Sequence, residues 1–244
     1  MQLSTTKKIS LWLLPPEPII TTLTSIQSNL IAKHIEVGGR RDLPRFIPHV
    51  TLIGGVPISD CCSLDEVTSH ESSQSNTDGS DNNIDTDEYA AQIVLRRMQN
   101  AFQSYGGIIC DFNKEKGIFA VRNEDSNDND TNIQWNQSCI SIVQRSASFM
   151  NAMQVADDVL FATINGRNHN EQQQSLRLPI ERHFKPPLYE PHYSFVYGND
   201  ANLIPPELKC PRSFTCTEMI LMWTYPSTLE GVEVWKEIGR ISLL

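Results

Sequence analysis

Two short segments of the chain share one pattern of residue types. One is Pro48-His49-Val50-Thr51-Leu52-Ile53-Gly54-Gly55, and the other is Pro191-His192-Tyr193-Ser194-Phe195-Val196-Tyr197-Gly198. Each reads proline, histidine, apolar, hydroxyl, apolar, apolar, any residue, glycine, and the recurrence marks a duplicated unit. On a strand, residues i and i+2 point to the same face. His49 therefore shares a face with Thr51, and His192 with Ser194, while Val50, Leu52, Tyr193 and Phe195 point the other way. On a helix the same pairs would diverge. A strand that is polar on one face and apolar on the other is suited to floor a cleft above a core.

Two imidazoles and two hydroxyls facing one another suit an in-line displacement at phosphorus. One histidine, neutral, takes a proton from water, and the other, protonated, gives one to the departing sugar oxygen. The hydroxyls donate hydrogen bonds to the non-bridging phosphate oxygens, where transition-state charge must be held. Neither role calls for a metal or another cofactor. The remaining histidines, His34, His70, His169 and His183, have no repeated context. No cluster of ligands at zinc spacing is visible in the sequence.

Elements that alternate between strand and helix must position these groups. Residues 9–14 form an apolar run that reads as a buried strand, stopped by Pro15-Pro16. Residues 17–37 carry Ile19, Leu23, Ile26 and Leu30 at helical spacing and end at Gly38-Gly39. A basic loop, Arg40-Arg41-Asp42-Leu43-Pro44-Arg45, leads into a strand at 49–53. A helix at 89–105 is followed by strands near 107–112, 118–122 and 134–144, and then by a helix at 146–162. The strand at 192–197 precedes two final strands, near 214–225 and 232–243. Short turns between neighbouring strands point to antiparallel pairing, so the class is α+β.

A chain of 244 residues, 39% of them hydrophobic, is long enough for one large domain with a substantial core. No apolar run approaches the roughly 18 residues of a membrane span, and 9–14 is too short for a signal-peptide core. These features give the expectation of a soluble, cytoplasmic protein. The net charge of −9 is unevenly placed. Residues 65–88 hold eight acids and residues 123–136 four more, with no Lys or Arg in either stretch. Those twelve removed, 17 acids face 20 bases, a body that can accept an anionic ligand. The stretches 60–87 and 123–133 read as mobile acidic insertions in a single domain spanning 1–244. The six cysteines contain no C-x-x-C pair and read as buried free thiols.

The duplicated motifs, His49-Val50-Thr51-Leu52 and His192-Tyr193-Ser194-Phe195, resemble the signature of the two-histidine (2H) phosphoesterase superfamily. Within it the chain resembles the plant and fungal 2′,3′-cyclic-nucleotide 3′-phosphodiesterases. Ser10-Leu11-Trp12-Leu13-Leu14-Pro15 is similar to that group's opening strand. Residues Pro44 to Thr51 resemble the approach to its first histidine, and Trp235 resembles a feature of its final strand. The likeness runs nearly end to end, interrupted by the two acidic stretches. It implies a bilobal fold of two pseudo-twofold-related lobes with antiparallel sheets and a central cleft. It also implies metal-independent hydrolysis of nucleoside 2′,3′-cyclic phosphates to 2′-phosphates, and of ADP-ribose 1″,2″-cyclic phosphate, a by-product of tRNA splicing, to ADP-ribose 1″-phosphate. Carried over by position, His49 and His192 are the catalytic pair and Thr51 and Ser194 bind phosphate. Tyr197 matches an active-site tyrosine, and Trp12 a position near the base-binding side of the cleft. Strict alternation places Tyr197 on the wrong face, so its role requires the strand to end or bulge there.

Two other readings compete. One is an RNA-end-processing 2H enzyme, a 2′–5′ ligase or RNA phosphodiesterase, which needs a basic track for several phosphates. Arg40, Arg41 and Arg45 form the only dense basic cluster beside a motif, which favours a small nucleotide over a stable nucleic-acid partner. The other is a catalytically silent nucleotide-binding module, against which the two intact motifs argue. The expected partner is a small cyclic-phosphate nucleotide, bound by a monomer without membrane association.

Overall fold

The computed structural model describes residues 7–36, 41, 43–63, 67, 85–112, 118–120, 137–166, 191–197, 211–226 and 230–244. Its strands are β1 (Lys8–Leu14), β2 (Val50–Pro57), β3 (Ile108–Asp111), β4 (Ile118–Ala120) and β5 (Gln137–Ile142), then β6 (His192–Tyr197), β7 (Ser213–Cys216), β8 (Glu218–Trp223) and β9 (Lys236–Ser242). The helices are α1 (Ile19–Glu36), α2 (Thr86–Phe102) and α3 (Ala147–Gly166). Seven strands form one sheet in the order β4-β5-β6-β2-β1-β8-β9, and β3 and β7 form a separate pair. All the pairings are antiparallel. The class is α+β.

The sheet order is mirrored about the β6/β2 boundary. On one side β1 leads through α1 to β2, which returns antiparallel beside it. On the other, β5 leads through α3 to β6 in the same way. The two repeated motifs therefore begin the returning strand of each unit, and the units meet where Val50 pairs with Tyr193.

Each element follows from its sequence. β1 is buried along nearly its whole length because it lies between β2 and β8, so a continuous apolar run is what its position demands. α1 carries Lys33 in its last turn, where positive charge complements the helix dipole. α2 is capped by Asp85, whose side chain accepts from the Asp87 amide at 3.0 Å. Lys7, just before β1, donates to Asp85 at 2.8 Å and so ties the start of that helix to the sheet. α3 opens with Ser146, whose Oγ accepts from the Phe149 amide at 3.2 Å.

The three helices bury their apolar stripes in one core together with Val50, Leu52, Tyr193 and Phe195. Cys61, Cys62 and Val67, from the polar stretch that begins at residue 60, belong to the same core. The thiols of Cys61, Cys62, Cys110 and Cys216 are buried, and the Cys110 and Cys216 sulfurs lie 3.9 Å apart. The opposite face of the sheet carries a smaller apolar cluster of Trp12, Leu14, Ile220 and Met222, with Trp235 packed against it.

Several boundaries differ from the sequence reading. β2 runs on to Pro57 rather than stopping at 53, α2 spans Thr86–Phe102 rather than 89–105, and α3 continues to Gly166 rather than 162. The last two expected strands change more. Residues 214–225 are two strands: β7 pairs with β3, and β8 pairs with β1 and β9. Neither glycine nor proline marks the change of sheet at Thr217, so the apolar run reads as continuous. The final strand starts at Lys236, because residues 230–234 form a 3-10 turn. Much of the two acidic stretches lies outside the described residues.

Candidate active site

Continuing the Val50–Tyr193 register by one residue in each direction sets His49 opposite Ser194 and Thr51 opposite His192. The four side chains occupy neighbouring positions on the face away from the helices, with the histidines on a diagonal. His49, His192 and Ser194 are buried, and Thr51 is half-buried. Trp12 and Ile140 flank the square at symmetry-related positions, since Trp12 pairs with Thr51 and Ile140 with Ser194.

His49 is held from several directions. Its Nδ1 lies 2.6 Å from the Ile47 carbonyl oxygen. A carbonyl only accepts, so Nδ1 carries the proton and Nε2 of the neutral ring keeps its lone pair. The Trp12 indole stacks on the imidazole at a centroid distance of 3.6 Å and an interplanar angle of 7°. Phe46 approaches the same ring edge-on, at 5.8 Å and 70°. Burial lowers the His49 pKa to about 3, helped by the positive charge that His192 can carry and opposed by the Ile47 carbonyl. Nε2 of His49 and Oγ of Ser194 have no hydrogen-bond partner among the described residues. Buried polar atoms left this way are costly, and a ligand with matching polar atoms offsets that cost.

Tyr197 lies on the site side, beside Phe46 at 4.4 Å and Trp235 at 6.3 Å. The β5–β6 register shifts twice, between the Ser194 and Val196 pairings, where β6 carries the extra residue, and between the Val196 and Tyr197 pairings, where β5 does. Val196 consequently joins Phe195 in the main core, and Tyr197 turns to the opposite side. The extra residue on β6 thus brings Tyr197 to the face that carries His192 and Ser194.

Trp12 is on this face too, with one side of its ring covered by His49. Trp235 packs at a tilt against Trp12, with 5.8 Å between ring centroids. Its indole nitrogen donates to the Pro226 carbonyl at 2.9 Å. A Cβ at Gly231 would collide with that carbonyl, so glycine permits the close approach that sets the Trp235 anchor. Arg41 and Arg45 are exposed on the approach to His49, and Arg40 lies outside the described residues. Of the other histidines, His34 is buried on α1, while His70, His169 and His183 lie outside the described residues.

Phe46 and the Ile47 carbonyl were not singled out by sequence reasoning, and Trp235 was noted only as a likeness. Pro48 offered a clue to the carbonyl, because its fixed φ and the extended conformation it favours at Ile47 constrain the turn into His49. Among the described residues no three His, Cys, Asp or Glu side chains gather as a metal site would require. No helix among them is long and apolar enough to cross a membrane.

No protein-family model and no curated protein sequence matches the chain. Its fold is that of TT0787 of Thermus thermophilus, a crystal structure matched at 12% identity over 97% of each chain with a TM-score of 0.53. Two structures of E. coli LigT also align. The complex with 3′-AMP gives 12% identity, 98% of this chain, 99% of that chain and a TM-score of 0.43. The apo form gives 13% identity, 98% of each chain and a TM-score of 0.44.

Proposed function

We propose that the protein is a phosphoesterase of the two-histidine type that hydrolyses small nucleoside 2′,3′-cyclic phosphates to 2′-phosphates. The observation that carries this reading is the diagonal placement of His49 and His192 with Thr51 and Ser194 between them, set by the single β2–β6 register. Only the fold is shared with a known structure, so the activity rests on these side chains and on the resemblance of their motifs.

In this reading His49 is the general base. Its Nδ1 proton is committed to Ile47, its ring stays neutral at physiological pH, and Nε2 is available to accept a proton from water. The water oxygen bonds to phosphorus while the bond from phosphorus to O3′ breaks. His192, charged, donates a proton to O3′. Each histidine exchanges its proton with solvent before the next turnover. The Coulombic effect of His192 on His49 favours one charge on the pair over two, which suits one acid and one base. Thr51 and Ser194 donate to the non-bridging oxygens. ADP-ribose 1″,2″-cyclic phosphate presents the same five-membered cyclic ester and fits the same steps.

A panel of substrates in EDTA tests the reading. Turnover of 2′,3′-cyclic mononucleotides is expected to persist in the chelator and to exceed turnover of cyclic-phosphate-ended oligonucleotides. A preference for oligonucleotides would favour RNA-end processing, and tight nucleotide binding without turnover would favour a binding module.

A further inference from the structure

We propose that Trp12 is a positioning residue for His49, fixing the plane of the imidazole and supporting the cation that forms when Nε2 takes a proton. This rests on the reading of His49 as the base, and it gives Trp12 a task other than holding a nucleobase. An imidazole tied by one hydrogen bond can still rock about χ2, which has a broad energy well. The Ile47 carbonyl fixes the direction of Nδ1, and a parallel indole at 3.6 Å restrains the rocking that the hydrogen bond leaves free. Phe46 closes a further side of the ring. Together these contacts leave Nε2 with one direction.

The indole is itself rigid. Trp12 is 3% exposed and lies on a central strand, with pairings to both Thr51 and Ile220. Leu14, Ile220 and Met222 pack around it, and Trp235 braces it. Trp235 is pinned in turn by the Pro226 carbonyl. A chain of contacts therefore runs from the 3-10 turn through two indoles to the imidazole. A base displaced by about 1 Å can lose on the order of 100-fold in rate, which gives this restraint chemical weight.

The stack also bears on charge. A cation over an indole face is attracted by the ring quadrupole, most strongly where water is excluded. The neutral ring gains little from this, and the imidazolium formed during the reaction gains more, so the contact strengthens as the proton moves. Other groups near His49 are His192 and Ser194 from β6, Thr51 from its own strand, the Ile47 carbonyl, and Tyr197 behind Phe46. His192 is the titratable group that acts on it by charge.

The test compares Trp12→Phe and Trp12→Leu by steady-state kinetics and by NMR of the ring carbons of 13C-labelled histidine in the ligand-free protein. Trp12→Leu is expected to lower kcat by about 10- to 100-fold with KM within about threefold, and Trp12→Phe to fall between it and the wild type. The His49 ring signals, shifted upfield by the indole, should move downfield by the largest amount in Trp12→Leu. The midpoint of the His49 titration should fall further in that variant. A rise in KM at constant kcat would overturn the proposal and return Trp12 to substrate binding. Unmoved His49 signals would overturn it as well. The NMR readout needs no turnover, so a protein inactive on cyclic phosphates would defeat the functional reading and still show whether Trp12 orients His49.

Discussion

His49→Ala and His192→Ala are each expected to lower kcat on a 2′,3′-cyclic mononucleotide by about 100-fold or more, with KM changed only a few-fold. General acid–base catalysis contributes roughly 100- to 10,000-fold, and each substitution removes one of the two groups that move protons. Binding of the ground-state phosphate falls chiefly to Thr51 and Ser194, so the loss should appear in kcat. The double variant should be little slower than either single one, because base and acid act as a unit. Thr51→Ala and Ser194→Ala each remove a hydrogen bond to a charged oxygen, worth about 1.5–3 kcal/mol, or about 10- to 100-fold in kcat/KM. Losses that simply multiply in the double histidine variant would indicate two independent contributions and contradict the paired mechanism.

Acid should destabilise the fold through His49. The folded pKa of about 3 lies below the ordinary value of 6.5, so between those pH values the unfolded chain binds more protons than the native one. The stability contributed by the neutral buried ring is fully present above about pH 6.5 and is lost as pH falls towards 3. Over that window the change is on the order of 5 kcal/mol, a large share of a typical domain's stability. Urea unfolding of the wild type and of His49→Gln across pH 3–8 measures it. The variant starts less stable, since glutamine fits the stacked site poorly, and the gap should narrow or reverse as the pH is lowered. Parallel curves would show that His49 titrates normally in the folded protein. At the active site the same shift keeps the base competent well below neutral pH, so activity should decline at the alkaline end, where the acid loses its proton.

The parts of this molecule legible in the sequence are those with a local period. The i, i+2 alternation at His49/Thr51 and His192/Ser194 placed each pair on one face, and Val50, Leu52, Tyr193 and Phe195 are in the core as that alternation requires. The bulge that turns Tyr197 was legible only as a condition, because a register shift depends on the partner strand β5. The change of sheet at Thr217 left no punctuation in an apolar run. The Trp12–His49 stack and the Ile47 hydrogen bond depend on strand register and on one turn, neither of which a composition pattern encodes. The mirrored sheet order was foreshadowed by the repeat, but the meeting point at Val50 and Tyr193 required the structure.

The most direct measurement is the product of 2′,3′-cyclic AMP hydrolysis in EDTA, identified by phosphorus NMR. Release of adenosine 2′-phosphate is expected, because protonation of O3′ by the acid directs cleavage to that bond. A 3′-phosphate product would contradict the assigned bond cleavage, and absence of turnover by folded protein would contradict the reading of His49 and His192 as a catalytic pair.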